Sequence, residues 1–218
     1  SANTGPAISF KSKDSGGTTR EVAKIVGESH SGSNEGNLAF QTRNGGTLET
    51  KWKVFKNGNL LPSSSAYGIY LGTTSVGDAN LLDDYEEGTW TPTIQSTTGV
   101  SKTAGAANMG RYTKVGNQVT LTGTVAWDGT QDLSGGLISV GGFPFASVST
   151  GNYRAASAMG ASTQVNQPSS YQNGLAMSMD ANSSNCWIVA RSTSSYTHYP
   201  VIGNTGGIYG INITYRTG

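Results

Sequence analysis

The 218-residue chain has a net charge of +1, 12% charged residues and 31 glycines. A charge so balanced provides no long-range field toward nucleic acid or an anionic membrane, and the single cysteine, Cys186, excludes an intrachain disulfide or a cysteine-based metal framework. Charged residues stand at about half, and glycine at about twice, the usual share; this favours sheets and turns over helices, where glycine costs about 1 kcal/mol relative to alanine.

The length suits one large all-β domain or two smaller pieces. No run approaches the ~18 apolar residues of a membrane span, and no signal peptide is visible, so no membrane insertion is expected. A lone cysteine fits assembly in a reducing cytoplasm. The start at Ser1, without methionine, suggests a fragment of something longer.

In the first eighty residues short alternating runs are broken by glycine: "AISFKS", "EVAKIVGE", "GNLAFQT", "TKWKVFKNGNLL" and "YGIYLGT". Ile8 and Phe10, Leu38 and Phe40, and Trp52 and Val54 each sit two apart, which places each pair on one face of a strand. Asp14 to Gly17, Ser31 to Gly36, Asn44 to Gly46 and Asn57-Gly58 read as turns. Each run offers only two or three apolar side chains, too little for one copy to offset its ordering entropy. Residues 1–80 are therefore expected to form a slender intertwined shaft in which identical chains supply the missing partners.

From Trp90 the runs lengthen: "TWTPTI", "GRYTKVGNQVTLTGTVAW", "LISVGGFPFAS", "YRAASAMG", "LAMSMD", "CWIVARS" and "GIYGINITYRT". Val119, Leu121, Val125 and Trp127 fall on one face, and Thr120, Thr122 and Thr124 on the other. Tyr209, Ile211, Ile213 and Tyr215 alternate with Gly210, Asn212 and Thr214. One face buried and one solvated describes an antiparallel sheet, and residues 81–218 are expected to form a β-sandwich, jelly-roll-like head. The boundary falls near Leu81 to Gly88.

Two sets of residues carry a resemblance. "DDYEEGTWTPTI", "GRYTKVGNQVTLTGTV", "GGFPF" and "GINITYRTG" resemble the carboxy-terminal receptor-binding region of tailed-bacteriophage tail fibres and tailspikes. "GPAISFKSKD", "AKIVGE", "GNLAFQTRNGGT" and "FKNGNLL…YGIYLGT" resemble the repetitive shaft preceding such tips. The resemblance implies a homotrimeric virion protein, assembled in the host cytoplasm, that contacts a bacterial surface polysaccharide or outer-membrane protein. The region from about Ala146 to Asn204 resembles least, and the family's variable tip loops transfer no binding residues.

Four carboxylates, Asp83, Asp84, Glu86 and Glu87, raise the question of an acid/base site. A glycosidase needs two carboxylates about 5 to 9.5 Å apart across a sugar, whereas these crowd one short segment. Asp128, Asp132 and Asp180 are the acids that could approach in space. The favoured reading is a solvated or paired acidic turn, with Tyr85 and Trp90 plugged into the base of the head as a joint. No catalytic residue, metal or cofactor is expected. The D-x-D-x-D-G calcium spacing is missing, and His30 and His198 lie far apart with no second cysteine. No G-x-S-x-G elbow occurs, and the doublets at Gly135, Gly141 and Gly206 lack the lysine of a phosphate loop.

The loops "VNQPSSYQNG", "DANSSNCW" and "STSSYTHYPVIGNTGG" mix Tyr, Ser, Asn and Gly, the composition of antibody paratopes, in which rigid aromatics supply area and small polar residues supply adaptable hydrogen bonds. Tyr171, Tyr196, His198 and Tyr199 are the candidate receptor contacts, with Trp127 and Asp128 next in line. The expected function is adhesion to a host receptor. A polysaccharide-depolymerising tailspike fragment and a purely structural trimerisation cap are the alternatives.

Overall fold

Period-two alternation becomes antiparallel strands in a computed structural model that describes residues 3–29, 35–71, 81–82, 84–96, 101–102, 108–128, 137–150, 155–166, 174–191, 196–197 and 201–218. Nineteen strands and no helix occur among these residues, so none of them forms a helix long and apolar enough to cross a membrane. The chain divides into two compact units, Ser1–Asp83 and Asp84–Gly218.

In the first unit β1 (Asn3–Lys13), β2 (Thr19–Ser29), β3 (Gly36–Asn44), β4 (Thr47–Val54) and β5 (Leu60–Pro62) form one sheet in chain order. A short second ladder pairs β6 (Ile69–Tyr70) with β7 (Leu81–Leu82). The turns follow local chemistry. Asp14 Oδ1 accepts from the amides of Gly16 at 3.0 Å and Thr18 at 2.9 Å, and the Arg20 guanidinium on Asp14 holds its carboxyl below the ordinary range. "TKWKVFKNGNLL" is two strands, because Asn57-Gly58 reverses the chain and the Gly58 amide donates to Phe55 O at 2.8 Å.

Register decides which side chains share a face, since directly paired residues point the same way. Ile8, Ile25, Phe40, Trp52 and Pro62 stand opposite one another across the sheet. The adjoining row on that face is Gly27, Leu38, Val54 and Leu60. The reverse face carries Lys24, Gln41, Thr50 and Lys53, with Val26 and Ala39 buried beneath them and Lys53 paired with Glu28 at 2.7 Å. The sheet is thus amphipathic, and its apolar side is open at the edges, where Ile8 is 63% exposed.

The second unit holds β8 (Tyr85–Trp90), β9 (Thr93–Ser96), β10 (Ser101–Lys102), β11 (Met109–Val115), β12 (Gln118–Trp127), β13 (Ile138–Gly141), β14 (Ala155–Ala158), β15 (Ser162–Asn166), β16 (Leu175–Met179), β17 (Cys186–Arg191), β18 (Tyr196–Thr197) and β19 (Val201–Arg216). One sheet runs β15-β19-β12-β11-β8; the other runs β10-β9-β13-β17-β16-β14, with β18 added beside β17. They share one core, to which the first contributes Leu121, Ile211 and Ile213 and the second Ile94, Val140, Met177 and Ile188.

The sequence "GTW" of β8 pairs with "GRY" of β11 so that Trp90 faces Gly110 and Gly88 faces Tyr112. Each ring lies over the glycine opposite it. A Cβ on Gly110 would sit 2.1 Å from Trp90 Nε1, and one on Gly88 would sit 2.6 Å from the Tyr112 ring. Trp90 Nε1 donates to Thr122 O at 3.1 Å. Phe143 meets Trp90 edge-on at 5.1 Å and stacks on Tyr215 at 5.9 Å, while Phe145 meets Tyr112 edge-on at 5.3 Å.

Three sequence readings change here. "GRYTKVGNQVTLTGTVAW" is a hairpin turning at Gly116-Asn117, where Gly116 has φ 55°. "LISVGGFPFAS" leaves its sheet after Gly141, because Pro144 has no amide for a ladder and both phenylalanines are drawn into the aromatic contacts above. Tyr209 does not share a face with Ile211, Ile213 and Tyr215. The ladder shifts between Gly123↔Ile211 and Thr124↔Tyr209, leaving Gly210 as a bulge at φ 78°; one extra residue turns the side chain before it to the opposite face.

Trp90→Ala is expected to cost about 3–5 kcal/mol, as for other buried aromatics. Gly110→Ala, which drives a methyl into the ring, should cost about 1–3 kcal/mol. Because both act on one contact, denaturant unfolding of the double variant should show a cost well below the sum; additive costs would mean that ring and glycine do not share this space.

Candidate functional site

The acidic stretch is resolved by strand geometry. Glu86 pairs with Lys114 and Glu87 with Thr113, so the two glutamates point to opposite faces of β8. Each described acid has its own partner: Lys114 Nζ on Asp84, Tyr112 OH on Glu86, and Tyr85 OH on Glu87 at 2.6 Å. Asp83 lies outside the described residues. Lys114, nearly buried, also stands 5.7 Å from the centre of the Phe145 ring. Carboxylates so distributed do not flank a common opening. Of the two residues expected at the joint, Trp90 is 6% exposed and belongs to the core of the second unit, whereas Tyr85 is 62% exposed because it takes an outward position of β8 opposite Val115.

The phenols report the same contacts. The hydrogen bond from Tyr112 to Glu86, and the charge accepting it, push the phenol above its ordinary 10.0; the Glu87 carboxylate does the same to Tyr85. Burial pushes the Cys186 thiol from 9.0 up to about 12.

Among the expected receptor contacts, Tyr171, His198 and Tyr199 lie outside the described residues. The backbone of Tyr196 forms β18 against Arg191 of β17. Trp127 is 1% exposed, with its ring over Gly206, its cross-strand partner, and so has no face open to a ligand. Asp128, next to it, is exposed. The loop beginning at Asp180 is consumed by internal bonds. Ser147 Oγ donates to Asp180 O at 2.6 Å, Trp187 Nε1 donates to Asp180 Oδ2 at 3.0 Å, and Asn185 Nδ2 donates to Ser139 Oγ at 3.0 Å. No group of three or more His, Cys, Asp or Glu suited to a metal occurs among the described residues.

What the geometry offers instead is a trough of about 730 Å³ on the outer face of the sheet containing β8, β11, β12 and β19. Its floor is the backbone of the row Trp90, Gly110, Gly123 and Ile211, whose side chains point inward or are absent. One wall is the outward row Thr89, Arg111, Thr122 and Asn212; Met109 and Thr124 of the next row form the other. Four strands about 4.8 Å apart give it a length of roughly 15 Å. Trp90 supports the floor from below. The Thr-x-Thr-x-Thr alternation of β12 was the visible signal for this wall; the trough itself needs the register. Tyr209, placed outward by the Gly210 bulge and paired with Thr124, ends the Met109–Thr124 row.

No protein-family model, no curated protein and no solved structure matches the chain. The likeness to tail fibres therefore rests on the quoted motifs.

Glu86→Gln should lower the phenol titration of Tyr112 toward its ordinary value, because a neutral amide no longer repels the phenolate; an unchanged ultraviolet titration would break the assignment of that hydrogen bond. For Cys186 the folded value lies above the unfolded one. Its contribution to stability is thus present below about pH 9 and lost as pH rises toward about 12. Cys186→Ser should flatten that part of the alkaline unfolding curve, and a disulfide reagent should react with the native thiol only as the protein unfolds.

Proposed function

We propose that this chain is the tip of a tailed-bacteriophage tail fibre, a non-enzymatic homotrimer that binds a polysaccharide or outer-membrane protein on a bacterial surface. Residues 1–80 serve as the shaft and the remainder as a jelly-roll-like sandwich head. The reading rests chiefly on one observation, the amphipathic first sheet. Its hydrogen-bond ladders run within one chain, yet Ile8, Phe10, Leu38 and Leu60 remain exposed on the apolar side. Taking each such side chain out of water contributes about 1.5–3 kcal/mol. Copies of the chain then meet through side-chain faces rather than by exchanging strands. The second unit, with its own core, needs no such partner to hold a recognition surface rigid. Three copies bind a repetitive surface through effective concentration, so weak individual contacts suffice.

In sedimentation the protein should run at three times its single-chain mass of 22.6 kDa, and Ile8→Ser with Leu60→Ser should lower that mass. A single-chain mass for the parent would sink the trimer. The isolated protein should also adsorb to cells of a susceptible strain and compete with phage for them. Adsorption without competition, or none at all, would leave only the cap function.

A further inference from the structure

We infer that the trough floored by Gly110 and Gly123 is a binding site for an acidic glycan, with Arg111 in its wall as the group that reads the acid and Tyr209, just beyond the Met109–Thr124 wall, as a stacking platform beside it. The inference rests on the adhesin reading above and specifies its site and ligand class.

Three observations carry it. The first is the ring of Tyr209. A Cβ on Gly207 would lie 2.8 Å from Cζ of that ring, so the phenolic end lies over Gly207, beside the trough, while the residue is 44% exposed. A ring steadied at its phenolic end and still partly exposed can present apolar surface to the C–H face of a sugar. Such a platform exists because the Gly210 bulge breaks the alternation that would have buried it.

The second is the wall chemistry. Thr89, Thr122, Thr124 and Asn212 present hydroxyls and an amide from strands rather than from loops, and no side-chain hydrogen bond among the described residues occupies them. The bond that Thr122 accepts from Trp90 Nε1 goes to its carbonyl and not to its hydroxyl. Groups that can both donate and accept, fixed in a row by the sheet, match the alternating donors and acceptors of sugar hydroxyls.

The third is charge. Arg111 is exposed, and among the described residues it has no ion-pair partner and no carboxylate lines the trough. Glu87, one row away on the same outer face, is engaged by Tyr85. A planar guanidinium without an acid of its own selects a carboxylate or phosphate group on the ligand, by a bidentate contact that a neutral sugar cannot offer. A trough roughly 15 Å long and open at its surface suits a short stretch of a longer polymer.

The test uses the whole chain on an array of bacterial glycans that includes uronic-acid-bearing, phosphate-bearing and neutral polysaccharides. The parent should bind only acidic spots. Arg111→Gln should weaken that binding about tenfold or more, the scale of a lost charge-assisted hydrogen bond. Thr122→Val should weaken it severalfold; Tyr209→Ala should abolish it, while Tyr209→Phe keeps most of it. Melting temperatures and sedimentation masses should stay at parental values for Arg111→Gln and Tyr209→Phe, whose changed groups are exposed. Binding of neutral glycans, binding of no glycan, or acidic binding indifferent to Arg111→Gln would each overturn the site. So would a changed sedimentation mass in Arg111→Gln, which would make this face a contact between copies. Adsorption of the parent to bacterial cells separates the two readings. Cells bound equally by parent and Arg111→Gln keep the adhesin and remove the trough, whereas glycans bound without any cell adsorption keep the trough and remove the adhesin.

Discussion

The exchange of rings and glycines between β8 and β11 is the constraint from which the second unit follows. Trp90 covers Gly110, and Tyr112 covers Gly88, in opposite directions across one antiparallel pair. Each ring needs the glycine because a single methyl there would overlap it, and each glycine needs the ring because bare backbone packs poorly on its own. The arrangement fixes register, since a slip of one residue would set ring against side chain and turn every apolar residue to water. It also gives Phe143 and Phe145 an aromatic ring each to meet, which packs the segment after β13 against the core. Tyr215 joins the set by stacking on Phe143 and by donating from its hydroxyl to Phe145 O at 2.8 Å.

The same tryptophan links core to surface. Its inner side belongs to the buried cluster, and its outer side supports the glycine floor of the trough. A floor backed by a ring and two strands of backbone deforms little, which matters for recognition because every group ordered in advance lowers the entropy cost of binding. Stability and the proposed binding surface therefore meet at Trp90, while the groups that would touch a ligand, Arg111 and the threonines, can be changed without entering the core.

The two units solve burial differently. The second closes two sheets over a common core in which Leu121, Val125, Ile208 and Ile213 are fully buried. The first has, besides a short two-stranded ladder, a five-stranded sheet in which Val26 and Ala39 are buried on the more polar face and the apolar face is still partly in water. A lone sheet of that kind gains little from folding by itself, and the proposed assembly of copies addresses that deficit.

Much of the local structure was legible in the residues. Alternation marked most of the strands, Asn57-Gly58 marked a turn, and Val119, Leu121, Val125 and Trp127 marked a buried face, because side-chain period and turn chemistry are properties of a few neighbouring residues. The site was legible only in its threonines. Tyr209 read as core until the bulge at Gly210 turned it outward, and Trp127 read as a possible contact until cross-strand packing over Gly206 enclosed it. The carboxylates of the Asp84 to Glu87 stretch were divided between two faces by the β8–β11 pairing. The sequence by itself determined strands, turns and apolar faces, since these depend on residues close along the chain. Which ring meets which glycine, and hence which aromatic is buried and which is left exposed, was decided by register between strands whose paired residues, such as Gln118 and Arg216, are as much as 98 positions apart, which only the tertiary structure sets.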